Sequence, residues 1–539
     1  MKSYLFLFLF LFSIAANAQY ISSVSYPDTL KQIIIDEDNP SVKWANTVTA
    51  EDLSEHLHVL ASDAFEGRET GEPGNEMAAN YIAEHFKNLG LPAVGLENGY
   101  FQQVSFNKTG WKENEIVING NKYKHLWDYM GFATMNEEMP SVDIDEVVFL
   151  GFGIDDPKYS DYKGNNLKGK VIMINKGEPL SKDSISYLTG TKEESEWAGN
   201  IWKKLEVAQN HGVKMVLVIE NELKQFLDKN RRFLVSPSLR LGDGTITEKR
   251  HANHMYISST MAKDIIGGKA KKIKKWRKKN TKKGKACDIK LKPEAKMNLV
   301  KNIDVIKGQN VMGFIEGSDL KNEIVVVSAH YDHLGKRGSD VYNGADDNGS
   351  GTSTVLELAE AFAEAKANGN GPRRSVLCLL VTGEEKGLLG SEYYAENPVY
   401  PLENTVVDVN IDMVGRADEK YEGVDNYIYV IGSDRLSTDL HKINEDINNK
   451  YSQIIMDYKY NDENDPNRYY FRSDHYNFAK KGIPSIFFFS GVHKDYHRIT
   501  DTVDKIMFPK MEKIGRHVFH LIWDLANRDQ RIVVDGEVK

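Results

Sequence analysis

The sequence predicts an α/β protein: a mixed, mostly parallel sheet sandwiched by helices, with a smaller α/β unit inserted into it. Three observations predict it. From about residue 300 onward, the near-continuous apolar runs IVVVSAH, SVLCLLVTGEE, TVVDVNIDMVG and IPSIFFFSG alternate with helical stretches such as STVLELAEAFAEAKANG. Strands apolar on both sides belong in a sheet covered on both faces. A second group of β-rich runs, EVVFLGFGI and KGKVIMINKG, precedes LEVAQNHGVKMVLVIEN, which reads as a helix followed by a strand. Finally, a chain of 539 residues that is 41% hydrophobic and 27% charged can bury a large core, which excludes a mostly disordered protein.

Taken in order, the first eighteen residues, MKSYLFLFLFLFSIAANA, have the three parts of a secretory signal peptide: one Lys, an apolar run, and small residues ending in A-x-A. The apolar run from Tyr4 to Phe12 is shorter than the roughly 20 residues a membrane span needs. Cleavage after Ala18 is expected, and an exported protein, periplasmic or secreted from a bacterium. No later stretch is apolar enough to cross a bilayer. A polar lead-in covers 19–48. The segment from Ala50 to Gly90 reads as helical, with Ala79, Ile82, Ala83 and Phe86 at helical spacing and LASDAFEGRETGEPGN as a loop within it. Residues 96–135 read as strands and turns. These boundaries give one discontinuous domain, 49–135 with 296–527, an inserted domain at 136–295, and a tail at 528–539.

The inserted domain ends in KAKKIKKWRKKNTKKGK, residues 269–285, read as a solvated basic helix remote from any chemistry. The net charge of -9 gives no support to nucleic-acid binding by the whole protein. Only Cys287 and Cys378 are present, and Cys378 lies inside an apolar run, so two separate thiols are expected.

Ligands of open α/β sheets bind beyond the carboxyl ends of the strands. Each apolar run here delivers ionisable residues at that end: His330, Asp332 and His333 from IVVVSAHYDH, Glu384 and Glu385 from VTGEE, and Asp412 from VNID. His493 and His497 follow IFFFSG, and the loop NGADDNGSG lies after the first run. So many carboxylates would repel one another without a cation among them. Mixed imidazole and carboxylate donors suit zinc, cobalt or manganese rather than calcium. The surplus of carboxylates points to two ions sharing one aspartate of the loop.

The motifs HYDH, GADDNGSG, GEEKGLLGS, NIDMVG and DYHxxxDT, in this order over 300–510, resemble the M28 family of co-catalytic dizinc aminopeptidases and carboxypeptidases. LASDAFEGRETGEPGNEMAANYIAEHFKNLGL is similar to that family's amino-terminal segment, and GFGI…YSDYKGNNLKGKVIMI to the protease-associated (PA) domain inserted in many members. The resemblance implies a zinc-peptidase (phosphorylase/hydrolase-like) fold with an inserted PA domain and two Zn2+ per chain. It implies Asp347 as the bridging carboxylate, His330 and Asp412 at one ion, and Glu385 and His497 at the other. Asp332 would hold the His330 imidazole in its metal-binding tautomer, and Glu384 would be the general base. A cis peptide between Asp347 and Asn348 is also implied.

Two such ions would activate a bridging water and polarise a scissile carbonyl, and Glu384 could carry the water's proton to the leaving amine. Tyr496, next to His497, is a candidate oxyanion donor, with Tyr470 competing for that role. His333, His475 and His493 are read as structural, and Asp474 as ordering a nearby loop. Peptides are the expected substrates and aminopeptidase action the leading reading. The rivals are a carboxypeptidase drawing on Arg337, Arg416, Arg468 or Arg472, a glutaminyl cyclase-like transferase with one zinc, and a receptor-like ectodomain without activity.

Overall fold

The computed structural model describes residues 20–27, 36–95, 99–235, 238–244 and 251–538. The leader and cleavage site expected at 1–18 lie outside them. The chain forms two compact units, one of residues up to 104 and from 307 on, the other of residues 105–306. The sequence-drawn boundaries at 135/136 and 295/296 fall inside the second unit. Each crossing between units occurs within a long strand, Phe101–Ile118 or Ala295–Ile315, so no linker marks it.

In the first unit, helices α1 (Ala50–Leu60) and α2 (Pro73–Asn88) precede the sheet. Thr49 caps α1 by accepting the Asp52 N–H, and Pro73 occupies the first turn of α2, where its missing N–H costs nothing. There follow β1 (Ala295–Ile315), β2 (Leu320–His330), α3 (Gly351–Ala367), β3 (Arg374–Val381), α4 (Leu389–Glu396) and β4 (Thr405–Ile411). The chain ends with β5 (Tyr427–Ile431), α5 (Thr438–Ile447), β6 (Ile455–Asp457), β7 (Ser485–Phe489) and α6 (Phe508–Asn527). The strands lie in the order β6-β5-β7-β4-β2-β3-β1. The central four, β7, β4, β2 and β3, are mutually parallel; β5 and β1 join antiparallel on either side. This is the mixed, mostly parallel sheet that the apolar runs predict.

Both faces of the sheet are covered, as continuous apolar strands require. Val325, Val327 and Ala329 of β2 pack with Leu356, Ala359 and Phe362 of α3 and Val518 and Leu521 of α6. Val326 of β2 joins Leu377 and Leu379 of β3 and Tyr394 of α4 on the other side. Burial of a side chain of this size is worth about 1.5–3 kcal/mol. His330 ends β2, so an apolar strand delivers a polar group at the carboxyl edge of the sheet.

The second unit has a sheet with parallel strands Val147–Phe149, Val171–Asn175, Met215–Glu220 and His254–Ser258. Cys287 and Cys378 are both free and buried. The basic run forms the helix Ala270–Lys283, anchored by buried Ile273 and Trp276. Among the described residues no helix is long and apolar enough to cross a membrane.

Candidate metal centre

The first donor sits at the end of β2. His330 is buried, and its Nδ1 lies 3.1 Å from the main-chain oxygen of Asp332. An N–H there fixes the tautomer that leaves Nε2 with its lone pair free. The Asp332 carboxylate is 3.8 Å away, so the main-chain oxygen rather than the side chain is the acceptor. That carboxylate accepts instead from Thr70 Oγ1 at 2.8 Å and from the Glu384 N–H at 3.1 Å. Asp332 thereby fixes the turn that carries Glu384.

Asp347 lies in the loop between β2 and α3. The Asp501 carboxylate accepts the N–H groups of both Asp346 and Asp347, at 3.1 Å. The Asp347–Asn348 peptide is cis. The Asn348 side chain accepts from Gly351 and Met413 N–H groups and donates to the Ile411 oxygen at 2.9 Å, joining the loop to the end of β4. Asp346 faces elsewhere: it accepts the Gly415 N–H at 2.6 Å and lies 3.2 Å from His493. The two adjacent aspartates thus have different work, and only Asp347 faces the other donors.

Those donors form two groups. His330 Nε2 is 3.5 Å from Asp347 Oδ1, 3.4 Å from Asp412 Oδ1 and 3.8 Å from Glu384 Oε2. His497 Nε2 is 3.0 Å from Asp347 Oδ2 and 3.0 Å from Glu385 Oε1. Donors held about 2.0–2.1 Å from a tetrahedral ion stand about 3.3 Å from one another, which is the scale seen in both groups. His330 Nε2, Asp347 Oδ2 and Asp412 Oδ1 are buried with no hydrogen-bond partner among the described residues. A buried polar atom left so costs about 1–3 kcal/mol unless something else binds it. The donor set therefore fits divalent metal ions, with two neighbouring groups able to hold one, the first of them His330, Glu384 and Asp412. His333, given a structural role from the sequence, also enters: it forms a metal-competent group with Asp347 and Glu385.

The electrostatics follow from burial. Burial holds the Glu384 carboxyl well above the usual range, with Glu385 and Asp412 adding to the effect against His330. Burial pushes Glu385 the same way, but His333 and His497 outweigh it and carry it well below. Adjacent carboxylates are thus driven in opposite directions by their different neighbours. Burial would lower His497, yet Asp347 and Glu385 raise it to about 9. The His497 backbone is left-handed (φ 59°), as is that of Met413 beside Asp412 (φ 57°); such conformations gather at functional sites.

Residues 310–522 match the model of peptidase family M28. That stretch of the chain is similar to peptidase family M28. It is 26% identical over 239 residues to "Aminopeptidase YwaD" of Bacillus subtilis, a stretch covering 41% of this chain and 46% of that protein. A "Probable zinc metalloprotease" of Pyrenophora teres f. teres is 36% identical over 116 residues, 20% of this chain and 22% of the relative. The chain thus spans less than half the length of either curated relative. The solved structure "Aminopeptidase from Aneurinibacillus sp. strain AM-1" shares the fold with a TM-score of 0.53 at 19% identity, covering 92% of this chain and 98% of that one.

Around the two donor groups, Tyr496 stacks on His497 with ring centroids 3.7 Å apart, and its phenol is 3.4 Å from Arg472 Nη2. Tyr470, the competing tyrosine, lies instead beneath the Arg435 guanidinium, 3.7 Å from its ring centroid. Of the nearby arginines, Arg337 pairs with Glu69, Arg416 with Asp495, and Arg468 stacks on Phe471. His475 stacks on Phe487 in the apolar interior, and burial lowers it to about 3. Asp474 accepts from Ser391 Oγ at 2.5 Å.

Sequence reasoning missed the residue that holds the loops together. Arg68 is fully buried and donates to four carbonyl oxygens: Leu60, Tyr331, Asn343 and Gly344, at 2.6–2.9 Å. Burial lowers it to about 10, while Asp501, Asp347, Asp332 and Glu385 favour its charge. No local pattern in EGRETGEPG separates this arginine from a solvated one. Asp501 was legible as the aspartate of DYHxxxDT, but its role as an acceptor for two N–H groups was not.

Proposed function

We propose that this chain is a zinc-dependent aminopeptidase that removes amino-terminal residues from peptides. The observation that carries the reading is the division of Asp347: its two carboxylate oxygens face two separate donor groups. Two zinc ions bound there would lower the pKa of a shared water and polarise the scissile carbonyl. His330 and Asp412 would hold one ion, Glu385 and His497 the other. The names of the curated relatives, an aminopeptidase and a probable zinc metalloprotease, support the same class.

Glu384 stands where a base is needed. It is half-buried, beside the first donor group, with its main chain held by Asp332. Its carboxylate takes the proton of the attacking water and passes it to the leaving amine, a contribution typically worth 10²–10⁴ in rate. Tyr496 is held in place by its stack on His497, and its burial beside Asp347 and Glu385 keeps the phenol protonated. It donates to the oxyanion that develops on the carbonyl.

The test is hydrolysis of a peptide panel with free and acetylated amino termini, with and without chelator. Cleavage should require a free amino terminus and disappear on chelation. Equal cleavage of acetylated peptides, or full activity after the chelator has removed all metal, would overturn the reading.

A further inference from the structure

The second donor group holds one imidazole more than the motifs account for. His333 is fully buried, three residues beyond His330 in HYDH. Its Nδ1 is 3.0 Å from Glu385 Oε1 and 3.7 Å from Asp347 Oδ2. These are the same two oxygens that face His497 Nε2. Neither nitrogen of His333 has a hydrogen-bond partner among the described residues. Fully buried His475 also leaves both nitrogens without a partner, but it stacks on Phe487 in the apolar interior, whereas the His333 ring faces two carboxylate oxygens.

The fold holds the ring there. The His333 N–H donates to the Arg68 oxygen at 3.2 Å, and the main chain bridges to Glu69. The ring lies against Gly344, the first residue of GADDNGSG. A Cβ on Gly344 would stand 2.5 Å from His333 Cγ, and the backbone there is left-handed (φ 55°). Glycine at 344 is what lets the imidazole come up to the Asp347 loop.

We propose that His333 is a ligand of the second ion, binding through Nδ1 alongside His497, Glu385 and Asp347. The two ions then differ in kind. The first has one imidazole, from His330, and the second has two. A neutral imidazole added to the second ion strengthens its hold without cancelling its charge. That ion should therefore be the tighter and the slower to exchange.

The inference rests on the two-ion reading above, and the experiment separates the two. Zinc bound by the full chain is counted, its stepwise affinities are measured by competition with a calibrated chelator, and its coordination by X-ray absorption. Three imidazoles shared over two zincs are expected in the wild type. His333→Ala should show two imidazoles and weaken one step by at least tenfold, since even indirect partners of a ligand are worth 10- to 100-fold. Two zincs with only two imidazoles in the wild type would overturn this proposal and leave the two-ion site standing. Fewer than two zincs would overturn the two-ion reading itself. The wild-type measurement decides the matter even if the variant does not fold.

Discussion

Ser473 Oγ donates to Asp412 Oδ2 at 2.8 Å, which leaves Oδ1 as the oxygen facing His330. Behind Ser473 the chain continues inward: Asn410 Nδ2 donates to Ser473 Oγ at 2.8 Å, and Ser328 Oγ donates to Asn410 Oδ1 at 3.0 Å. A carboxylate aimed by such a relay would bind an ion in one orientation, if Asp412 is the ligand proposed above. Ser473→Ala should weaken the first ion by about 10- to 100-fold and spare the second. Chelator competition would show it as a loss at a single step; equal loss at both would contradict the assignment.

Asp347 predicts the opposite pattern. Because its oxygens are divided between the two groups, Asp347→Ala should lower the affinity for both ions together. Zinc content after gel filtration is the measurement. Full retention of two ions would refute the bridge.

Glu384→Gln should separate chemistry from binding. The amide keeps the shape but cannot accept a proton, so kcat should fall by about 10²–10⁴ while zinc content stays near that of the wild type. A variant with near-normal kcat would remove Glu384 from the mechanism.

Arg68→Met tests the clamp. The substitution retains an apolar stem but strands the buried carbonyl oxygens of Leu60, Tyr331 and Asn343, that of Gly344 keeping the Gly349 N–H, and it removes a cation facing four carboxylates. Each stranded group costs about 1–3 kcal/mol, so unfolding free energy should drop by at least about 3 kcal/mol. Denaturant unfolding of the metal-free protein reads this without interference from bound ions. A change within error would mean that water replaces the guanidinium.

Lys510 predicts a pH dependence of stability. It is buried in α6, with its Nζ 3.4 Å from the Tyr427 ring centroid and no hydrogen-bond partner among the described residues. Burial lowers it from 10.5 to about 7, against the pull of Asp346 and Asp418. Between those two values the unfolded chain binds a proton that the folded chain does not, so this group makes stability rise with pH across that window. Below about 7 the folded state carries the full cost of a buried charge. Lys510→Met should raise the melting temperature by a few degrees at pH 6. The gain should shrink as pH approaches 10, and a gain independent of pH would show that the lysine is charged or solvated throughout.

The sheet was legible because its central strands are buried on both faces, which removes the polar alternation and leaves unmistakable apolar runs. The donors were legible for a related reason: a strand such as IVVVSAH has no use for a terminal histidine except at the edge where ligands gather. The unit boundaries were not, since strands Phe101–Ile118 and Ala295–Ile315 pass through them without any change of composition.

By itself, then, the order of residues determined the fold class and pointed to the ionisable residues at the strand ends, while the choice of Asp347 over Asp346 came from the family resemblance. Only the tertiary structure decided that Arg68 clamps the loops, that a main-chain oxygen rather than the Asp332 carboxylate sets the His330 tautomer, and that His333 faces the second donor group. The physical reason is range. Periodicity and motif spacing are written along the chain, whereas Arg68 meets carbonyl oxygens up to 276 positions away, and no local rule orders contacts between such distant segments.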